Sequence, residues 1–548
     1  MPKRRPSADV AAVRDDDRAN EESIPQPSVL PPDVTTSDNG YAYGSFPAIG
    51  VSSTAVTTAD AAAAANAAKP ANSKTRVLAP DLMRGLLMMI MAFDHLSISL
   101  HTWEHGTNRS MEGDGIVVRR WNYPTAFAVR TLTHLCGTGF TLLLGMGVVY
   151  LGRSRTKLGW SSGRLLWYFA VRCCVLTMVT VVFGYVLTGG KVLFMNPVLF
   201  ALAVDYFLAG ALWLAMTHTE RWLTDVLTRV MRFENLDQDR PSADQPLLPN
   251  QPPAKDEARA KAEVTSWHMH NGLLVVLTLL TIWWNHWMSE SGGHCPSTSD
   301  SFISPFASDD HRQDLSLWDI VRRIWFWPVM TERVMSNFPP LAWLSFSILG
   351  LLYGRLMTAR PWSTRTVAFA HFLAALLFTT AFVLTRVLQF GNLSDGCLQL
   401  PENERRPDAN PYLVSVQAFL YVIKYPPDFA YWALTLAGNF LLLGMFGYMP
   451  VTVSRRFTML LDFGTTALFF YIAHMLVVFG LGQAFDEVFG HDTGVRDPMN
   501  PNKQIKGIDN LWGYFGIWAL CMLILWPMCK WYSRFKSTKS ADSIWRFF

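Results

Sequence analysis

The sequence predicts an all-α polytopic integral membrane protein of about ten transmembrane helices, with both termini cytosolic. Three observations predict it. The chain of 548 residues is 50% apolar and only 16% charged, with 21 Trp and 35 Phe. Average soluble chains carry about 25% charge, so too little polar surface exists here for a set of soluble domains. Apolar stretches of spanning length recur along the chain, and the loops between them alternate in basic character. The net charge of +4 is small and says little about partners by itself; the lipid bilayer is the expected partner, and no nucleic acid is expected.

Taken in order, residues 1–75 are rich in Ala, Ser, Thr, Pro and Asp without hydrophobic periodicity and read as a disordered tail. Their charged start precedes no apolar core and is not read as a signal peptide. The membrane domain is expected over 76–533, with spans near 81–100, 124–151, 165–187, 192–216, 267–288, 337–357, 364–389, 426–449, 458–484 and 509–530. Residues 412–424 read as a short interfacial helix before Pro426 and Pro427 reset the chain. Pro-rich 217–264 reads as an inner flexible linker between two five-helix halves, and 534–548 as a basic tail.

Orientation follows from the loops. With the N-terminus inside, 152–164, 354–365, 455–457 and the C-terminal tail are basic inner segments. The sequons at Asn108 and Asn392 then fall outside. Cys295 and Cys397 do too, where an oxidising compartment permits a bridge. A eukaryotic endomembrane or plasma membrane is the expected location.

The functional question sits in "RGLLMMIMAFDHLSISLH", where Asp94 and His95 interrupt an otherwise apolar span. Ionisable groups inside a membrane are costly and rare, and clusters of them mark sites. At about 1.5 Å per residue, His95 lies toward the outer side. Arg130 and His134 share one face of the next span at a matching depth. Convergence of the two His and the Arg, with Asp94 or another carboxylate as counter-charge, is therefore expected, either as a site or as an interhelical clamp in which Asp94 pairs with Arg130. No metal is expected, because no His, Cys and carboxylate spacing on one helix supports one. Asp81 and Arg84 mark the inner end of the first span, where their i, i+3 spacing fits a local pair, and Arg172 and Arg355 read as inner-face charges, as snorkelling anchors or a phosphate-binding rim. His474 and Lys424 read as interfacial, and His105 as a residue of an outer loop. The Gly-rich "CGTGFTLLLGMG" reads as close helix packing.

These motifs resemble the heparan-α-glucosaminide N-acetyltransferase catalytic-domain family, including its microbial members. "LAPDLMRGLLMMIMAFDH" resembles its opening signature, followed in order by "FAVRTLTHLCGTGFTLLLG", "FPPLAWLSFSILGLLYGR", "KYPPDFAYWALTLAG" and "FFYIAH". The resemblance implies a membrane acyltransferase passing acetyl from cytosolic acetyl-CoA to a sugar or related small-molecule or glycan acceptor across the membrane. It carries Asp81, Arg84, Gly85, Asp94, His95, Arg130, His134, Lys424, Tyr425 and His474 over as pattern residues. In the lysosomal animal enzymes the active histidine lies nearer "HTWEHG", which makes His105 a rival to His95. "FPPLAW" departs from the family's Tyr-Pro run, and the heparan acceptor does not carry over.

On that reading His95 is a general base or a transient acyl carrier, with Asp94 orienting it and Arg130 steadying an oxyanion. Arg84, Arg172 and Arg355, with Asp81, are the inner-face groups expected near coenzyme A. Two other classes compete: a proton-coupled transporter using Asp94, His95 and His134 as a relay, and a non-catalytic membrane protein of the same fold.

Overall fold

Helices dominate the chain because its apolar segments have to satisfy their own backbone hydrogen bonds. The computed structural model describes residues 78–103, 112–238, 254–289, 291–295, 316–497, 500–540, 543 and 545. The expected disordered tail, His105 and the Asn108 sequon lie outside the described residues.

Twelve helices of eight residues or more organise the described chain. They are α1 (Ala79–Ser99), α2 (Pro124–Lys157), α3 (Ser162–Leu187), α4 (Leu199–Gln238), α5 (Ala254–Trp287), α6 (Leu317–Phe326), α7 (Pro340–Ala359), α8 (Thr364–Val387), α9 (Phe429–Tyr448), α10 (Thr458–Thr465), α11 (Ala467–Phe489) and α12 (Leu511–Ser537). Among the described residues, nine helices are long and apolar enough to cross a membrane: α1 to α4, α7 to α9, α11 and α12.

The expected span at 267–288 is helical, inside α5, but does not join those nine. Polar side chains on its buried face are the reason. His270, Asn271 and Asn285 are buried, whereas Leu273, Val276 and Leu280 are exposed. The expected ninth span also differs, because the helix breaks at Thr466 into α10 and α11.

The linker reading of 217–264 is corrected over most of its length. Helix α4 continues through Gln238 and α5 begins at Ala254, leaving 239–253 outside the described residues. "AKDEARAKAE" is a strong helix former, tied by Lys261–Glu257 at 2.8 Å and Arg259–Glu263 at 3.2 Å. The tail expected from 534 likewise begins inside α12, which ends at Ser537.

Local chemistry sets the helix starts. Pro124 and Pro340 occupy first turns, where no amide proton is needed. Ser161, Ser363, Asp428 and Asn510 cap α3, α8, α9 and α12 by accepting from backbone amides. Residues 411–420 form a 3-10 turn and the short helix Val416–Leu420, near the expected interfacial helix.

Glycines decide the closest crossings. A Cβ on Gly145 would strike the Ser347 carbonyl, and one on Gly350 the Leu142 carbonyl, so α2 and α7 meet backbone to backbone. Gly85 and Gly464 do the same for α1 and α10. Strands are minor: β1 (Phe194–Asn196) pairs in parallel with β3 (Val334–Ser336), which pairs antiparallel with β2 (Val329–Met330). A hairpin, β4 (His491–Asp497) and β5 (Asn500–Gly507), links α11 to α12.

Loops at one end are bound together. Cys295 and Cys397 form a disulfide, and the 112–118 segment pairs with 397–399 and 424–425. We refer to this end as the disulfide side.

Candidate functional site

Beneath those loops, α1 and α2 bring Asp94 and Arg130 together. The guanidinium donates from Nη1 to both Asp94 oxygens, at 3.0 and 3.2 Å. Its Nε and Nη2 donate to Glu112 at 2.8 to 3.1 Å. Arg130 and Glu112 are 5% and 2% exposed, so one cation is clamped between two carboxylates away from bulk water. Burial alone pushes the Glu112 carboxyl up, but the Arg130 guanidinium, followed by His134, holds it well below the ordinary 4.5.

Glu112 is the member that sequence reasoning missed. It sits in the polar loop "MEGDG", where nothing in the local pattern distinguishes it. The loop is drawn over the helices because the Glu112 carbonyl accepts from the Lys424 and Tyr425 amides.

His134 lies beside the clamp. Its Nε2 is 3.8 Å from Glu112, too long for a hydrogen bond, and neither ring nitrogen has a hydrogen-bond partner although the residue is buried. Tyr431 donates its hydroxyl to the His134 carbonyl at 2.8 Å and sets its ring edge-on to the imidazole. A cavity of about 10 Å³ bounded by Glu112, Arg130, Thr131 and His134 has room for one water.

The second half of the site is a histidine pair. His95 Nδ1 lies 2.8 Å from His474 Nε2, with the rings stacked at 5.0 Å. His474, on α11, is fully buried within the protein. Its Nδ1 is 3.1 Å from the Phe470 carbonyl, an acceptor only, so that nitrogen carries the proton. In a neutral pair His474 Nε2 then accepts from His95 Nδ1. The lone pair of the pair is thereby placed on His95 Nε2.

Lys424 is buried as well. Its Nζ lies over the Phe338 and Tyr425 rings, at 5.5 and 5.2 Å.

The four expected residues therefore converge, but two expected roles shift. The group hydrogen-bonded to His95 is His474, whereas Asp94 is turned to Arg130. All three nitrogens of Arg130 are already engaged by carboxylates, which leaves it poorly placed to steady an oxyanion.

The residues expected at the inner face are dispersed over three helix contacts. Arg84 donates to Asp81 at 3.1 Å and to the Gly464 carbonyl at 3.2 Å, joining α1 to α10. Arg172 lies 4.5 Å over the Tyr206 ring, between α3 and α4. Arg355 donates to Asn271 and Glu220 at 2.8 and 3.0 Å, tying α7 to α5 and α4. Asn392 turns its amide nitrogen onto the Thr385 and Phe390 carbonyls. Among the described residues no cluster of His, Cys, Asp and Glu is arranged to hold a metal.

The chain matches no protein-family model and no curated protein. What the site can do is therefore argued from its geometry. It holds a base with a directed lone pair, a second imidazole able to share the charge, and a fixed ionic cluster alongside.

Proposed function

We propose that the protein is a membrane-embedded acetyltransferase that uses acetyl-CoA and modifies a hydroxyl or amine acceptor on the disulfide side. The His95–His474 pair carries this reading. As the acceptor attacks the thioester carbonyl, His95 Nε2 takes its proton. The new C–O or C–N bond forms, the C–S bond breaks, and the imidazolium returns the proton to the departing thiolate. His474 spreads the transient charge through the 2.8 Å contact. General base catalysis of this kind is worth about 10²–10⁴-fold in rate. The resemblance of five ordered motifs to the heparan-α-glucosaminide N-acetyltransferase family supports the same chemistry.

The same reading takes α5 as a tenth span, both termini as cytosolic, and an endomembrane or plasma membrane as the location. The disulfide favours an oxidising compartment on its side.

The test uses the full chain in vesicles with radiolabelled acetyl-CoA and sugar or lipid acceptors. Wild type yields acetylated acceptor, His95→Ala loses the yield by about 10²-fold or more, and His105→Ala retains it. No acetylated product in any condition, or equal yield from His95→Ala, overturns the proposal. Loss in His105→Ala alone transfers the base to that residue. Proton-driven uptake abolished by His95→Ala, without acetyl transfer, assigns the cluster to transport.

A further inference from the structure

A cleft of about 720 Å³ opens sideways between α2, α8, α9 and the short helix Val416–Leu420. Its size is that of a small-molecule site, but its walls are those of a membrane surface. Leu132, Phe372, Leu376 and Leu441 line it and are 41–61% exposed. All four stand on helices long and apolar enough to cross a bilayer, so these side chains meet acyl chains rather than water.

The cleft is not uniformly apolar. His134 lies in its wall, with Thr131 and Thr435 close by and Gln417 at the disulfide-side rim. His134 is 3% exposed, and both ring nitrogens lack a hydrogen-bond partner. A buried imidazole that makes no hydrogen bond, with only the 3.8 Å approach of Nε2 to Glu112, costs desolvation energy that a ligand hydroxyl would recover.

Depth fixes the orientation. Helix α2 has 34 residues and at about 1.5 Å per residue exceeds the roughly 30 Å hydrocarbon core by several turns. Its first turns therefore stand at headgroup level, and His134 lies just below them. Leu376 and Leu441 sit deeper, near the middle of their helices. The polar end of the cleft is thus toward the disulfide-side headgroups and the apolar end toward the midplane, the sense of one lipid leaflet.

We propose that this cleft binds a single-chain amphiphile entering laterally from the disulfide-side leaflet, with its chain along Leu376 and Leu441 and a headgroup hydroxyl hydrogen-bonded to His134. That this amphiphile is the acetyl acceptor rests on the acetyltransferase reading; the binding does not.

The experiment uses the full chain in phosphatidylcholine vesicles with a monoacylglycerol carrying a photoreactive diazirine in its chain. Cross-linked peptides are mapped by mass spectrometry, without acetyl-CoA. Labelling is expected to saturate and to concentrate on 372–379 and 434–441. Unlabelled monoacylglycerol competes at least 10-fold better than the matching fatty-acid methyl ester, which has no hydroxyl. Leu376→Trp, at a 61% exposed position, and Thr379→Trp each reduce labelling several-fold while eluting as folded protein. His134→Phe keeps the labelling and removes the preference for the hydroxyl.

Labelling that never saturates, spreads over the outward faces of α3 and α12, and ignores both tryptophan variants shows annular lipid only and overturns the proposal. Saturable labelling with equal competition by the methyl ester overturns the His134 contact. Adding acetyl-CoA afterwards separates the two readings. Confined labelling without acetylated monoacylglycerol leaves the cleft standing and removes this acceptor. Acetyl transfer to a soluble sugar with diffuse labelling does the reverse.

Discussion

Arg130→Met replaces the clamped cation by an apolar chain of similar length and leaves Asp94 and Glu112 facing each other in a buried site. Five donor contacts of 2.8–3.2 Å are lost. They share one guanidinium and are not independent, so the better benchmark is removal of one partner from a buried ion pair, about 3–5 kcal/mol. For a chain of 548 residues, at about 2.1 cal/mol/K of unfolding entropy per residue, that corresponds to a fall of about 3–4 °C in unfolding midpoint, read by tryptophan fluorescence in detergent.

The pH dependence changes sign. In the wild type the Glu112 pKa is depressed, so its contribution is present above the ordinary 4.5 and is lost as pH falls through the folded value. Without Arg130, burial is the dominant effect and raises that pKa against the smaller pull of His134, so the variant loses stability as pH rises from 4.5. Arg130→Met is therefore relatively better at pH 5 than at pH 8. Combining it with Asp94→Asn and Glu112→Gln removes the stranded charges and recovers most of the loss. A single variant as stable as wild type at pH 8, or a triple variant no better than the single, refutes the reasoning.

Other consequences are simpler to read. His474→Ala removes the acceptor that fixes the His95 tautomer; acetyl transfer falls about 10-fold or more while size-exclusion behaviour is kept, and nitrogen NMR of the His95 ring shows the proton no longer held on Nδ1. Gly145→Leu drives a side chain into the Ser347 carbonyl and costs at least about 1–3 kcal/mol, seen as lost monodisperse yield, whereas Gly147→Leu, with open space around it, is tolerated. Cys295→Ser opens a link between residues 102 apart, which chain-entropy arguments value at about 4–5 kcal/mol; thermal unfolding with and without reductant checks it.

The sequence made the helical class legible because hydrocarbon solvation leaves few alternatives to a long apolar helix. The Asp94–Arg130 contact was also legible, since two buried opposite charges at one depth on consecutive spans have few other ways to be neutralised. Glu112 was not, and His474 was singled out by the resemblance without its contact to His95. Each is brought to the site by tertiary packing: His474 from 379 positions away, and Glu112 by a loop with no periodicity to read. Helix α5 is the ambiguous case. Its mean hydropathy is lowered by Asn271 and Asn285, although both are buried against protein, because an average along the chain does not know which face is covered.

Asn285 gives that helix a schedule as well as a partner. Its amide donates to the carbonyls of Ala342 and Pro427, 57 and 142 residues further along the chain. During synthesis from the N-terminus α5 is complete before either acceptor exists, and until then the amide has to be satisfied by water, headgroups or the insertion machinery. Settling of α5 into its final packing is thereby coupled to translation of the C-terminal half. A chain truncated before Pro427 leaves its earlier helices made but this one unsettled.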